Sequence, residues 1–517
     1  MVNDGSLILY PGSAAPVREP VDSEAVSSEV ATVDKWWVPF DQPVELWIEE
    51  ATPELYPVTF FQLYEELLPS SNPYDVLIDL DADAVFDRLQ GVETDAVLAE
   101  PGISWSRGLG SGTVGSLPAA GSASLTLRND DGHYSPAAPD HINPGDGLRL
   151  TSLTAGELTH LWTGHIHEHR EGIRRGDRKV EVAAMGRWAQ LVGRTVSTAL
   201  YEGISTSTAI GHVLDAAGWP AADRDIGAGV SSLTWWWADG EDAAAALRKL
   251  LETEGPGALL YEDGSGKIVF RGRNALVSQT RSATVQATYG DAEGTIDLAR
   301  DHSLALVIND VEFETRTRAA QALAEVWALG STVVLAADEV RQYTAKPSDP
   351  VKAAVCTAGT DYTVSAGSVS VTLNRVSGGS IMLTLTAGAS GATVTGLRLR
   401  AQLCTVQGTT LIRAGADVSA SVAAHGVRKF DGEIHPEIDV DDAQAIADAI
   451  LLWWRDGRIR FPVTLAAAYG SLLNTDLVNR EIGDRVAIEE SWMPISEEAW
   501  ILNMSHVVGG AVSHRAV

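Results

Sequence analysis

The sequence predicts a mainly β protein with α+β insertions: two tandem β-barrel domains, a small α/β module and a β-sandwich-like module. Glycine is frequent (48 residues) and methionine scarce (5) in a chain of 517 residues, while Thr and Val recur in short runs. Such runs are typical of strands, and this length suits roughly three or four domains. Helical periodicity marks the stretches 205–255 and 441–457.

The chain carries a formal net charge of −31. This acidity argues against tight nucleic-acid binding, because such binding needs Lys and Arg to displace counterions from phosphates. Two explanations stay open. The charge confers solubility alone, or it lines a surface past which a polyanion slides without sticking.

The cysteines and the absence of targeting patterns indicate the cellular compartment in which the chain is made. Cys356 and Cys404 form no CxxC pair, so no structural zinc site is expected. One disulfide between them is conceivable, and two reduced, buried cysteines are favoured. No signal-peptide pattern opens the chain, and no run approaches the roughly 20 apolar residues that span a bilayer. We expect synthesis in a cytoplasm, work as a soluble part and no membrane span.

Residues 1–73 are predicted to form an N-terminal extension. Residues 17–34 are rich in Glu, Asp, Ser and Pro, as in a solvated arm, and apolar clusters such as Trp36 with Trp37 stand beside them. Apolar anchors on a polar tether favour docking. The arm docks on another subunit or folds back on its own barrel, and both readings stay open.

Residues 74–196 predict the first β-barrel, because some six short strands follow one another with turn signals between them. Leu125 and Leu127 share one face of an alternating strand. The strand runs into residues 129–132, where Asx side chains and a glycine suit a tight turn. Three prolines then carry the chain along an edge of the sheet.

Two patterns in this barrel suggest metal sites. An Asp-rich run at 79–83 suggests a calcium loop, but Ala84 and Gln90 stand where the EF-hand pattern requires Gly and Glu. Three histidines fall on one face of a regular strand: His165, His167 and His169. Neighbours in this ladder lie about 7 Å apart, too far to share one zinc ion easily. A solvent-facing or interface ladder is favoured, pH sensitivity is possible, and its function stays open.

Residues 197–299 predict a small α/β module. Its first helix is capped by Ser205 or Ser207, and its second helix begins near Asp239. A hairpin follows. The turn at 264–267 contains Gly-Ser-Gly-Lys but is not a P-loop, because the glycine spacing fails and a strand follows where a helix is needed.

Two further modules complete the chain. Residues 331–410 alternate almost without interruption between Gly- and Ser-rich turns, which predicts a β-sandwich-like insertion with a packing role. Residues 300–330 and 411–517 predict a second barrel with a helix at its side. Asp441 is expected to cap this helix, and the Gly and Asp of residues 482–486 are expected in a turn that launches a strand.

The sequence predicts no catalytic, cofactor-binding or metal-binding residue, and therefore no enzyme. It contains no G-x-S-x-G elbow, no H-E-x-x-H helix and no cysteine with an obvious histidine partner. Paired carboxylates are plentiful in any chain with 69 Asp and Glu, and sequence cannot show the separation that a glycosidase needs. No cluster of Trp or Tyr between Val351 and Val406 offers a carbohydrate platform.

Five short stretches, taken together, resemble a known family. The first, Leu-Thr-Leu-x-Asn-x-Asp-Gly-x-Tyr-Ser-Pro, is followed by a Pro-Gly-x-x-Leu-Arg-Leu strand. The stretches are residues 125–136, 162–164, 270–273, 425–428, and 482–486 with 501–506. In order and spacing they resemble the tail hub, or baseplate hub-like minor tail protein, of long-tailed bacteriophages. The resemblance covers about residues 74 to 517 and leaves out 1–73.

This resemblance implies a structural virion protein at the tail tip, made in the cytoplasm of a host bacterium. Hubs of this family form homotrimers in which two similar barrels per subunit make a pseudo-sixfold ring. The ring adapts a six-fold tail tube to a three-fold tip and leaves a channel for genome ejection. The implied partners are the distal tail protein or tail tube, the tape measure protein, and tail fibre or central spike proteins. DNA passes without specific binding, and an acidic lumen wall would repel it.

Two other classes of function stay open. One is a tail-associated enzyme that degrades the host cell wall. The other is a carbohydrate- or receptor-binding tail-tip protein acting through Val351 to Val406. The sequence does not identify the host, the receptor, the tail type or the redox state of the two cysteines.

Overall fold

The computed structural model describes most of the chain from residue 102 onward and short stretches before it. The described residues are 6–7, 38–39, 45–49, 55–59, 74–79, 97, 102–110, 119–136, 138, 141–154, 157–174, 177–291, 294–468, 471–509 and 513–516. The chain divides into two compact units, Met1–Asp75 and Val76–Val517. The predicted solvated arm at 17–34 lies outside the described residues.

The first unit contains two short antiparallel strand pairs. Their strands are β1 (Ser6–Leu7), β2 (Val38–Pro39), β3 (Glu45–Glu49) and β4 (Leu55–Thr59).

The segment predicted as the first barrel supplies six strands. They are β5 (Tyr74–Asp79), β6 (Ile103–Gly108), β7 (Ser122–Arg128), β8 (Gly147–Thr154), β9 (Glu157–Arg174) and β10 (Asp177–Gly186). Leu125 and Leu127 are buried, as their alternation in the sequence predicts.

The α/β segment follows with short strands and four helices. Its strands are β11 (Thr195–Ser197), β12 (Tyr201–Ser205), β13 (Arg224–Ile226), β14 (Ser232–Trp236), β15 (Asp239–Asp242), β16 (Leu259–Glu262) and β17 (Ile268–Arg271). Its helices are α1 (Thr206–Ala216), α2 (Ala243–Glu254), α3 (Ala275–Ser278) and α4 (Thr280–Ala283). The predicted hairpin is confirmed as the antiparallel pair β16–β17.

The remaining strands extend to the end of the chain. Three connect to the next module: β18 (Val285–Gly290), β19 (Thr295–Leu298) and β20 (Asp301–His302). Eight build it: β21 (Glu312–Ala320), β22 (Ala324–Ala328), β23 (Val333–Leu335), β24 (Val340–Ala345), β25 (Val351–Val355), β26 (Thr363–Arg375), β27 (Ile381–Thr395) and β28 (Arg398–Arg413). Six follow: β29 (Ile459–Arg460), β30 (Val463–Ala468), β31 (Arg485–Glu490), β32 (Ile495–Trp500), β33 (Asn503–Gly509) and β34 (Ser513–Ala516). The helices here are α5 (Ser419–His425), α6 (Val440–Trp454) and α7 (Leu472–Asn479).

One ten-stranded sheet contains strands from both predicted barrels. Its order is β19-β30-β34-β33-β6-β7-β10-β9-β8-β5. The two sets of strands meet at the antiparallel pair β6–β33, where Trp105 lies opposite His506. These two rings stack with their centroids 4.9 Å apart. The sheet is therefore continuous between the barrels, while the domain boundaries themselves stay a prediction.

The α/β helices share one core with a helix from the C-terminal part. Leu247 of α2 belongs to the same buried cluster as Ile446 and Ile450 of α6. The sequence placed α6 at the side of the second barrel, and the cluster that holds its buried face also contains Ile308 and Ile412 from those segments. An amphipathic helix buries its apolar stripe wherever tertiary packing offers a partner, and the sequence pattern does not name that partner.

Two predicted helix starts are corrected. Ser205 caps α1 as expected, accepting a hydrogen bond from the Thr208 amide. Asp242, not Asp239, caps α2, because residues 239–242 pair as a strand with β11. Asp439, not Asp441, caps α6. Runs of several aspartates offer alternative caps, and long-range strand pairing decides among them.

The segment 331–410 belongs to a β-sandwich whose two sheets, β21-β28-β22 with β25 and β23-β27-β24 with β26, enclose one core. Both cysteines lie in it and are free thiols. The Cys404 amide bonds to Pro350, six positions before Cys356 along an extended strand. That is about 20 Å, far beyond disulfide reach, so the conceivable disulfide is excluded. Burial raises the pKa of both thiols to about 11, which keeps them protonated.

No helix among the described residues is long and apolar enough to cross a membrane.

Candidate functional site

The first motif forms a turn closed by one asparagine. The Asn129 carboxamide accepts a hydrogen bond from the Tyr134 amide and donates one to Ser135 Oγ, both at 3.0 Å. Gly132 has φ +77°, the left-handed region that the predicted turn requires. Tyr134 is 1% exposed. The motif therefore folds the chain back so that a tyrosine enters the core, and its polar groups are occupied by that task.

The second motif joins β9 to the turn of the β16–β17 hairpin. Thr163 Oγ1 donates a hydrogen bond of 3.0 Å to the Gly264 carbonyl oxygen, and both groups are buried. A Cβ on Gly264 would lie 1.9 Å from the His160 carbonyl oxygen, so only glycine allows this approach. The Gly-Ser-Gly-Lys run that superficially resembles a P-loop is thus a docking turn between modules.

The third motif, residues 270–273, lies at the end of the β16–β17 hairpin beside the buried carboxylate of Glu254. Glu254 is 0% exposed and accepts hydrogen bonds from Thr206 Oγ1 at 2.5 Å and from the Val230 and Ser231 amides at 2.8 and 3.0 Å. The Arg273 amide donates a fourth at 3.2 Å. A buried carboxylate satisfied by four donors is a structural clasp, and it has no free oxygen for catalysis.

The fourth motif is held by Asn309. Its side chain accepts a hydrogen bond from the Arg428 amide at 2.7 Å and donates one to the Gly426 carbonyl at 2.9 Å. It also donates to Ser421 Oγ at 3.0 Å. Asn309 is 2% exposed, so this residue fixes the loop after α5 against the segment that leads into β21.

The fifth motif supplies the most charged joint. As predicted, Gly483 (φ +88°) and Asp484 form a turn that launches β31. Asp484 is 1% exposed and accepts two hydrogen bonds from Arg281, at 2.7 and 2.6 Å. Arg480 Nη1 lies 3.6 Å from the same carboxylate. Such a fork pairing is a strong, charge-assisted contact that fixes geometry.

A cavity of about 310 Å³ opens at this joint, between β6, the β16–β17 hairpin and the start of β31. Arg107 of β6 pairs with Glu481 on one side of it. Arg281 and Asp484 close the other side, and their hydrogen bond raises the Arg281 pKa. Burial also raises the pKa of Tyr261, so its phenol stays protonated. The two carboxylates that line the cavity, Glu481 and Asp484, are each engaged by an arginine.

A second cavity of about 280 Å³ lies beside Trp237. Arg318 places its guanidinium 5.2 Å from the Trp237 ring centroid and pairs with Glu437 at 2.8 Å. His435 is buried there, and burial lowers its pKa to about 3, so it stays neutral. The chain's own arginine uses this indole, which favours packing over carbohydrate stacking.

The predicted histidine ladder is wrong in one respect. A β-bulge between Ala183 and Ala184 places His169 opposite Val182 and His165 opposite Met185. Val182 is buried and Met185 is 38% exposed, so the two histidines lie on opposite faces of the sheet. A bulge inserts one residue and reverses the alternation beyond it. Among the described residues, no group of three or more His, Cys, Asp or Glu could hold a metal ion.

These contacts describe a mainly β protein of several modules. The residues of its sequence motifs make the hydrogen bonds that hold separate segments together. Sequence reasoning located the motifs but missed their partners, since Arg281 and Asp484 stand 203 residues apart. No local signal could have found that pair.

No family model matches the chain, and the search of curated proteins finds no match. Among solved structures, a tail protein from Neisseria meningitidis is similar at TM-score 0.45 and 11% identity, covering 86% of this chain and 95% of that one. A 43 kDa tail protein of prophage MuSo2 from Shewanella oneidensis is similar at TM-score 0.44 and 13% identity, covering 86% of this chain and 97% of that one. A prophage tail protein from Listeria monocytogenes is similar at TM-score 0.42 and 8% identity, covering 86% of this chain and 94% of that one. All three are tail proteins, the class that the motifs resemble. Likenesses this distant carry no functional argument by themselves.

Proposed function

We propose that the chain is a structural component of the tail-tip or baseplate hub of a long-tailed bacteriophage, as its motifs imply. Three copies form a ring that adapts a six-fold tail tube to a three-fold tip and surrounds a channel. Residues 74–196 supply one barrel and residues 300–330 with 411–517 supply the other. Residues 197–299 brace them, and residues 331–410 are an insertion.

The observation that carries the proposal is the continuous sheet across β6 and β33. A subunit that contributes two barrels to one ring must hold them at a fixed angle. Backbone hydrogen bonds running through both sets of strands provide this, and the stacked Trp105 and His506 rings reinforce the crossing.

A structural role without catalysis is supported by what the motif residues do. Glu254, Asn309 and Asp484 each accept hydrogen bonds from segments distant in sequence, and Asn129 closes its own turn. Groups committed in this way are unavailable for proton transfer or nucleophilic attack. No observation in the described residues favours the alternative of a cell-wall hydrolase.

The proposed partners follow from the same role. A distal tail or tube protein would sit on one side of the ring and a spike or fibre protein on the other, with the tape measure protein and DNA inside. The net charge of −31 suits a lumen that DNA crosses without binding. The protein would be made in the host cytoplasm and be located at the virion tail tip.

Mass photometry of the purified chain, followed by cryo-electron microscopy of the oligomer, tests this proposal. A homotrimer with a central acidic channel is expected. A stable monomer that clears host cell wall in zymography would overturn the proposal and establish the hydrolase. A trimer whose lumen is neutral or basic would refute the proposed role of the charge.

A further inference from the structure

One tryptophan stands almost wholly in solvent at the tip of the β31–β32 hairpin. Trp492 is 92% exposed and Met493, beside it, is 40% exposed. Other tryptophans in the described part of the chain are buried, among them Trp105, Trp162 and Trp236. Exposing so large an apolar surface carries a free-energy cost that binding recovers, and tryptophan is among the residues most enriched at interface hot spots.

The exposed position is built into the turn. The Glu490 carboxylate accepts hydrogen bonds from the Trp492 amide at 2.9 Å and the Met493 amide at 2.5 Å. The Ser491 amide donates to Asp291 Oδ2 at 3.0 Å, which braces the tip against the end of β18. The backbone is thereby held in place, while the Trp492 side chain stays 92% exposed. A preorganised anchor loses little entropy on binding.

The surroundings of this tryptophan are negative. The sequence from Ile488 to Ile495 contains Glu489 and Glu490 and no Lys or Arg, and Asp291 adjoins them. None of these three carboxylates has a cationic partner among the described residues. An aromatic face bordered by carboxylates is the arrangement that recognises a guanidinium group, by cation–π contact and charge-assisted hydrogen bonds.

The same chain carries a run of basic residues in the other predicted barrel. The sequence from 170 to 179, which includes the end of β9 and the start of β10, holds five basic and two acidic residues in a protein of net charge −31. Arg170 is exposed and pairs with no carboxylate in the described part of the chain. Arg178 is bonded only to a backbone carbonyl, that of Asp130, at 3.2 Å. These guanidinium groups are available to a partner.

We propose that the Trp492 tip of one copy docks on the basic β9–β10 hairpin of the next copy. Trp492 accepts an arginine of that hairpin on its ring, and Glu489 with Asp291 neutralises its neighbours. The occupant is a second copy because the chain itself supplies both complementary surfaces. Contact between two different patches is head-to-tail, and such contacts close into a ring when the rotation permits. The inference rests on the proposed homotrimer and names its interface.

The test is a charge swap read out by mass photometry and sedimentation. Trp492→Ala, Glu489→Arg and Arg170→Glu are each expected to raise the dissociation constant of the oligomer at least about tenfold. The double variant Glu489→Arg with Arg170→Glu should recover most of that loss, because the two charges are exchanged. Affinity of the wild type should also fall between about 50 and 300 mM salt. Glu490 is left intact because it holds the turn.

Matched controls separate docking from unfolding. Leu472→Ala removes another apolar side chain that is 91% exposed, and Lys346→Glu reverses another exposed cation. Both should leave the oligomer unchanged within about threefold. If the wild type is a trimer and the three single variants behave like these controls, the docking inference is overturned while the hub proposal stands. A wild type that stays monomeric up to about 100 µM overturns both the inference and the trimer.

Discussion

Replacing Asp484 by Asn should loosen the joint between the α/β module and the second barrel. Asp484 is 1% exposed, whereas its partner Arg281 is 54% exposed and Arg480 is 12% exposed. Asparagine keeps the shape but offers one acceptor in place of two and turns an amide donor toward the arginines. Removing one member of a buried pair costs about 3–5 kcal/mol. Because Arg281 is half exposed to solvent, we expect a smaller loss, of about 2–3 kcal/mol, for Asp484→Asn.

Hydrogen exchange resolves this loss locally. If β31 opens about 2–3 kcal/mol more easily, its amides should exchange roughly 30- to 150-fold faster, since each 1.4 kcal/mol is a factor of ten. Asp130→Asn is the matched control, because Asp130 is 67% exposed and lies 4.0 Å from Arg128. That variant should be indistinguishable from the wild type. Exchange in β31 of the Asp484 variant within about threefold of the wild type would refute the reasoning.

Three further outcomes follow from the buried joints. Burial raises the pKa of Glu262 to about 7, above its ordinary value in the unfolded chain, so its contribution to stability is present below about pH 4.5 and lost as pH rises to 7. Relative to Glu262→Gln, the wild type should therefore lose about 3 kcal/mol across that window, measured by urea unfolding at a series of pH values. Gly132→Val should lower the free energy of unfolding by roughly 1–2 kcal/mol and reduce oligomer yield, because valine is strained at φ +77°. A Cβ at this position meets no clash, so the loss reflects backbone strain alone, and Gly132→Asn should be tolerated. Asn309→Ala should cost about 2–4 kcal/mol in thermal unfolding, since the Arg428 amide and Gly426 carbonyl lose their partner; a change under about 0.5 kcal/mol would contradict that assignment.

Local signals predicted local structure well. The alternation around Leu125 and Leu127 and the turn chemistry at Gly132 and Gly483 depend on neighbours within a few residues, and the structure agrees. The histidine face failed because a bulge is set by cross-strand register, which a single strand does not encode. The cap of α2 failed for a similar reason, as pairing with β11 claimed residues 239–242.

Salt should screen the buried contacts of Asp484 and Glu254 less than it screens the proposed interface between subunits. Asp484 and Glu254 are 1% and 0% exposed, so ions in solution screen their contacts little. Arg170 and Glu489 are exposed, and an ion pair between them would be screened strongly. Ionic strength should therefore separate subunits before it loosens the modules within one. In the proposed trimer, association would therefore depend on exposed charge, whereas the rigidity of each subunit depends on buried charge.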